Sequence, residues 1–267
     1  NRNFVIKGLE IFKKRNNIGI SRIFDNSKIN HTPTVSDLGF LIGPQLNAAS
    51  RIDDSTLSSK ILISEDIVEI ESISRKLHIF NEKRKLIEKK IFEEASNQAI
   101  NQQNNNIIVV KGEGWHKGVL GIVASRLVEK FNKPSIVFSF NKEHAVGSAR
   151  SLHSIDIGNI IINAKEKGLL LNGGGHKMAA GIKISNHMYD DFLKYMIEIF
   201  SNFDSTFFKK ILFFDSTLTL DEINTELLYD IEKLEPFGNS NPEPKFIIKN
   251  VSINFAKILK EKHILLN

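Results

Sequence analysis

The sequence predicts a mixed α/β fold assembled from several pieces. Strand and helix patterns alternate between residues 107 and 202, which argues for helices layered on a sheet. A charged amphipathic helix pattern precedes that block over residues 65–98, and a mostly β pattern follows Ser205.

Taken in order, Val5, Leu9 and Phe12 stand at helical spacing and stop at the breaker Asn16-Asn17-Ile18-Gly19. "GFLIGPQLNAASRIDDSTLSSKILIS" then reads as a glycine-punctuated loop running into short helices. Asp54 or Ser55 is placed to cap the segment holding Leu57, Ile61 and Leu62. In the long helix, Ile70, Ile73, Leu77, Phe80, Ile87 and Ile91 form an apolar stripe, the ordinary mark of a packing face. "NQAINQQNNN" (97–106) is polar and of low complexity and reads as a linker.

The next domain opens on a β-run at 107–110 and continues as the "GEGWHKG" loop, helix 119–131 and strands 134–139 and 145–150. Helix 156–167, a glycine-rich loop, strand 178–184 and helix 189–201 complete it. Beyond Ser205 come strand 209–218, a helix 221–232 and the "LEPFGNSNPEPKF" loop. Strands near 246–255 and 263–266 end the chain, the opening of a small β unit of barrel type.

Composition sets bounds on function. The chain has 267 residues, a net charge of +5 and no cysteine, which excludes disulfide and thiolate–metal chemistry. No apolar run approaches the ~20 residues that span a bilayer, and no signal segment opens the chain, so a cytoplasmic, non-membrane protein is expected. The positive balance leans weakly towards a polyanionic partner. The opening without Met and the ending inside a strand pattern read as cuts through a larger protein.

Three glycine-centred stretches carry the candidate chemistry. In "GWHKGVLGI" (114–122), Gly118 precedes a helix whose first N–H groups are free for an anion, with His116 beside them; an ordinary turn with a surface histidine is the plainer reading. In "VGSARS" (146–151), strand alternation puts Ser148 and Arg150 on one face, where a hydroxyl and a guanidinium fork suit phosphate oxygens or a surface ion pair. In "GGGHKMAAG" (173–181), Gly173, Gly174 and Gly175 permit positive φ and a nest of successive N–H groups, with His176 at its rim. A helix-ending turn needs fewer glycines than that. A fourth stretch, "GPQLNAASR" (43–51), places Asn47 and Arg51 four apart on one helix face, as a phosphate clamp or an interdomain bond. No His-Glu-x-x-His, Asp-His-His or Walker pattern occurs, and the eight histidines are scattered, so parts for gripping phosphate stand without machinery for cutting it.

Read in order, "IGPQLNAASRIDD", "GWHKGVLGIVASRLVEKF", "GSARS", "GGGHKMAAG" and "PFGNSNPEP" resemble the RecJ-type single-strand-specific DNA exonucleases of the DHH phosphoesterase superfamily, across almost the whole chain. The resemblance implies the C-terminal part of a DHH domain at 1–64, a connecting helix and polar linker at 65–106, a DHH-associated α/β domain at 107–202 and the start of an OB-type β-barrel at 203–267. It implies 5′-to-3′ cleavage with Mn2+ or Mg2+, whose aspartate and histidine ligands are not in this sequence. Single-stranded DNA is the implied partner, with a separate N-terminal half and single-strand-binding protein as further candidates. Asn47, Arg51, His116, Ser148, Arg150, Gly173, Gly174, Gly175 and His176 would then hold the phosphates and terminal nucleotide. The sequence departs from the family pattern at Gln45 (usually Arg), Ser50 (usually Gly) and Lys117 (usually Pro). The expected behaviour is substrate binding without cleavage. A non-catalytic single-strand-binding protein and a small-nucleotide phosphohydrolase are the alternatives, and the barrel start weighs against the second.

Overall fold

The computed structural model describes residues 2–27, 31–238, 240–259 and 263–266. By internal contacts the chain divides into two units, Ile11–Lys210, and Asn1–Glu10 together with Ile211–Asn267. The first helix, α1 (Arg2–Lys13), contributes residues to both.

The larger unit starts with helices. Asn17 caps α2 (Ile18–Asn26) by accepting the Ile20 N–H. Thr34 and Asp37 form a reciprocal capping box at α3 (Val35–Asp37), and a π-helical turn, Leu38–Ile42, leads into α4 (Gly43–Ile52). At α5 (Thr56–Ile63) the cap comes from Asp54, not Ser55: its carboxylate accepts the Thr56 N–H at 2.8 Å. α6 (Ile67–Ile100), capped by Asp66, runs 34 residues, about 51 Å at 1.5 Å per residue. Its first half closes a core of Ile23, Phe24, Ile42, Ile61, Ile70 and Leu77. Its second half gives Ile91, Ala95 and Ala99 to a different core, beneath a sheet. One helix thus ties the two bodies of this unit together.

The sheet is built from the alternating block: β1 (Ile108–Glu113), α7 (Leu120–Phe131), β2 (Ser135–Phe140), β3 (His144–Arg150), α8 (Ile157–Glu166), β4 (Asn172–His176), β5 (Ala179–Ser185) and α9 (Tyr189–Ser201). Strand order is β1-β2-β3-β5-β4, with β1 and β2 parallel and the remaining pairs antiparallel. On one face Ile136, Phe138, Ile182 and Ile184 pack with Ile161 of α8 and Phe192 of α9. On the other, Ile108, Val110 and Val137 pack with α6 and with Leu120, Val123 and Leu127 of α7. That second cover stops short: Gly181 and Lys183 of β5 stay exposed.

Residues 97–106, a linker by composition, have packing partners. α6 continues to Ile100, and the amides of Gln98 and Gln102 each give and take a hydrogen bond with the β1 main chain, at Lys111 and Val109. They supply the edge of β1 with the donors and acceptors a further strand would bring.

In the smaller unit, β6 (Ser216–Leu218) pairs in parallel with β7 (Phe246–Ile248), and β8 (Ala256–Leu259) pairs antiparallel with β9 (His263–Leu266). α10 (Thr225–Glu232) lies between β6 and β7 in the chain. Both sheets are two-stranded, so no closed barrel forms among the described residues. The strands are shorter than their sequence patterns because a ladder of two strands buries little on either side; no described residue from 211 onward is buried. The "PFGNSNPEP" loop is drawn in by Asn241, whose amide donates to Leu234 O and Pro236 O at 3.0 Å each. Arg2 donates to the carbonyls of Lys233 and Glu235. No described helix is long and apolar enough to cross a membrane.

Candidate nucleic-acid interface

The uncovered end of the sheet carries three rows of facing residues: Arg150, Ala179 and His176; Ser148, Gly181 and Gly174; Val146, Lys183 and Asn172. Ser148 and Arg150 share this face, as alternation requires. Arg150 Nη1 donates to Ser148 Oγ at 3.1 Å and to its neighbour's carbonyl, Ala149 O, at 2.8 Å.

The glycine run corrects the sequence reading. Gly173, Gly174 and Gly175 lie in β4, an extended strand, and the glycines with positive φ are Gly114 and Gly168. The nest expected at 173–175 does not form. What glycine provides there is room. A Cβ on Gly173 would stand 2.9 Å from Ile161 Cγ2, and one on Gly175 would stand 2.2 Å from Ala179 O. Gly174 faces the other way, and neither it nor its partner Gly181 would bring a Cβ within 4 Å of anything. The facing pair leaves a bare strip of main chain, flanked by Lys183 and Asn172 on one side and by Ser148 on another.

The start of α7 closes the site. A Cβ on Gly121 would stand 2.7 Å from Arg150 Nη2 and 3.1 Å from Ser148 Oγ. Gly118, three residues earlier, lies against α4: Arg51 donates from Nη1 to Gly118 O at 2.9 Å. A Cβ on Gly118 would collide with Arg51 O at 2.2 Å. Arg51 therefore makes the interdomain bond, and in making it stands beside α7's first turn. Asn47, one turn earlier on α4, is exposed and its side chain has no hydrogen bond among the described residues.

Arg51 and Arg150 sense each other. Burial first, and then the Arg51 charge, hold the Arg150 pKa below the usual arginine value. Both side chains remain cations, since arginine does not deprotonate in proteins. Among the described residues no carboxylate lies within ion-pair distance of Arg51, Arg150 or Lys183. Two like charges are thus gathered with no counter-ion among the described residues.

Both histidines serve turns. His116 Nδ1 accepts the Gly118 N–H at 3.2 Å, and His176 Nδ1 accepts the Met178 N–H at 3.3 Å. An accepting Nδ1 puts the proton of the neutral ring on Nε2, so each histidine keeps one N–H to offer. Of the family departures, Gln45 is buried and donates to Ser27 Oγ at 2.8 Å, Ser50 donates to Asn47 O, and Lys117 is exposed. Sequence reasoning missed Gly121 and Lys183, and did not separate Gly181 from its motif. The signal for Gly181 was present: it lies two residues beyond Ala179, on the face opposite Ala180.

Residues 104–202 match the DHHA1 domain family, and residues 214–267 match the RecJ OB domain. At the level of family, sequence and fold both match RecJ. The single-stranded-DNA-specific exonuclease RecJ of Bacillus subtilis is 30% identical over 260 residues, covering 94% of this chain and 32% of the relative. RecJ of Escherichia coli is 30% identical over 220 residues, covering 79% and 38% respectively. The crystal structure of Thermus thermophilus RecJ with Mn2+ superposes with a TM-score of 0.88 at 26% identity, covering all of this chain and 39% of that one. Its Mg2+ complex gives 0.86 at 26% identity, covering 97% and 40%. The chain thus spans about a third of the length of the curated relatives it matches.

The metals of those RecJ structures do not fit the residues found here. Among the described residues no three His, Asp or Glu side chains converge as metal ligands. The site presents Arg51 of α4 and, on the uncovered sheet face, Arg150 and Lys183, whereas Mn2+ and Mg2+ take carboxylate, imidazole and carbonyl donors.

Proposed function

We propose that this chain holds the sugar–phosphate backbone of single-stranded DNA for a RecJ-type 5′-to-3′ exonuclease. One observation supports the reading: Arg51 and Arg150 come from separate elements to the start of α7 and the turn before it, beside Ser148, with no carboxylate within ion-pair distance among the described residues. A guanidinium offers two parallel N–H donors to a phosphate, a geometry lysine cannot reproduce. The Nε2–H groups of His116 and His176 add donors at the rim. The strip at Gly174 and Gly181 lets a strand lie on main chain without meeting a side chain. All these groups address phosphate and sugar, so binding is indifferent to base sequence. Cutting is assigned to metal-binding residues outside this sequence.

The test is a binding series with the 267-residue chain, a single-stranded oligonucleotide and its duplex, across salt concentrations. The single strand is expected to bind more tightly, with the logarithm of affinity falling by about 0.7 per phosphate contacted for each logarithmic unit of salt. Added Mn2+ is expected to produce no cleavage. Equal affinity for duplex, or binding indifferent to salt, overturns the reading; metal-dependent cleavage overturns the division of labour.

A further inference from the structure

Trp115, the only tryptophan of the chain, is held from three directions. Its ring lies on Gly112 so closely that a Cβ there would come within 2.1 Å of the indole. Its Nε1–H donates to Glu94 Oε2 of α6 at 2.8 Å. Its carbonyl accepts the buried Ser139 hydroxyl at 2.6 Å. The residue is 7% exposed and belongs to the core between α6, α7 and the sheet.

The turn that carries Arg51 begins at the next residue. His116 caps it through Gly118 N, and Gly118 O takes the Arg51 guanidinium. Gly118 also packs directly on the Arg51 main chain. Arg51 and Arg150 repel, and nothing else among the described side chains bonds the Arg51 guanidinium. The turn must therefore stay where it is for the two cations to share one anion.

We infer that Trp115 is a positioning residue for DNA binding: by fixing the His116–Gly118 turn to α6 and β2, it keeps Arg51 beside Arg150. This rests on the phosphate-holding reading above. It assigns roles to Glu94, Gly112 and Ser139, none of which is among the groups proposed to meet the phosphate. It also explains why α6 holds both the α4 core and the sheet core: the helix is the common base to which both arginines are referred.

The experiment measures affinity for a single-stranded oligonucleotide, its salt slope and Trp115 emission in Gly112→Ala, Glu94→Ala, Glu94→Gln and Arg51→Ala. Gly112→Ala should displace the ring, shift emission to longer wavelength and weaken binding about tenfold, with the salt slope shallower by less than the about 0.7 of a whole phosphate contact, since Arg150 stays in place. Glu94→Ala, a change at an exposed position, should do the same to a smaller degree, about threefold. It carries the test if Gly112→Ala does not fold. Glu94→Gln keeps an oxygen acceptor for the indole and should behave as the parent. In an Arg51→Ala background, neither Gly112→Ala nor Glu94→Ala should weaken binding further. The inference is overturned if the ring shifts without loss of affinity, if Glu94→Ala binds as the parent does, or if the losses persist in that background. If Arg51→Ala itself binds normally, the phosphate-holding reading falls as well.

Discussion

The α-carbon of Gly158 in α8 rests against the main chain of His176 in β4, so closely that a Cβ would lie 2.8 Å from the His176 carbonyl carbon and oxygen. The glycines of β4 and this one solve a single packing problem. They let a helix sit directly on an edge strand. Alanine at 158 would gain about 1 kcal/mol of helix propensity, but overpacking costs about 1–3 kcal/mol, and a main-chain neighbour cannot swing aside. Gly158→Ala should therefore lower stability, read as a reduced midpoint in urea. A midpoint equal to or above the parent's would show that α8 is free to move off β4.

Gly181 predicts the opposite sign. Its Cβ would meet nothing, and valine suits a strand better than glycine does. Gly181→Val should leave stability unchanged or slightly raised. It should also weaken single-strand binding about tenfold, because the side chain stands on the strip proposed to receive the backbone. Stability and binding measured on the same preparation separate the two effects. Unchanged affinity would remove the strip from the interface.

Tyr189 gives a pH signature. Burial, and then the charge of neighbouring Asp190, push its phenol up to about 12. The fold favours the neutral phenol, so this contribution is complete below the unfolded value of about 10 and is lost as pH rises from there towards 12. The ring also lies under Lys111 Nζ, 4.2 Å from its centroid. Melting temperatures of the parent should fall between pH 10 and 12 more steeply than those of Tyr189→Phe, with the two alike at pH 7. Parallel curves would mean the phenol ionises as it does in water.

Much of the fold was legible because its elements announce themselves locally. The stripe from Ile70 to Ile91 predicted a helix, and α6 is that helix. The strand–helix alternation predicted the layers of the sheet. What stayed hidden depends on partners distant in sequence. Gln98 and Gln102 look like linker residues until β1 is set beside them. Gly173 to Gly175 look like a turn because glycine favours turns. The contacts of Ile161 and Ala179, which make glycine necessary in a strand, cannot be seen from the run itself. In the site, the shared face of Ser148 and Arg150 came from alternation alone. That Arg51 would reach Gly118 across 67 positions of sequence did not.

The most direct test of the central claim, that Arg51 and Arg150 together seat a phosphate of single-stranded DNA, is the salt dependence of binding in the parent, in Arg150→Lys and in the double variant Arg51→Ala/Arg150→Ala. Arg150→Lys keeps the charge and loses the fork, so it should keep the parent's slope at lower affinity. The double variant should bind more weakly, with a slope shallower by about 0.7, the value for the one phosphate contact the two arginines share. A double variant with the parent's affinity and slope would contradict the account.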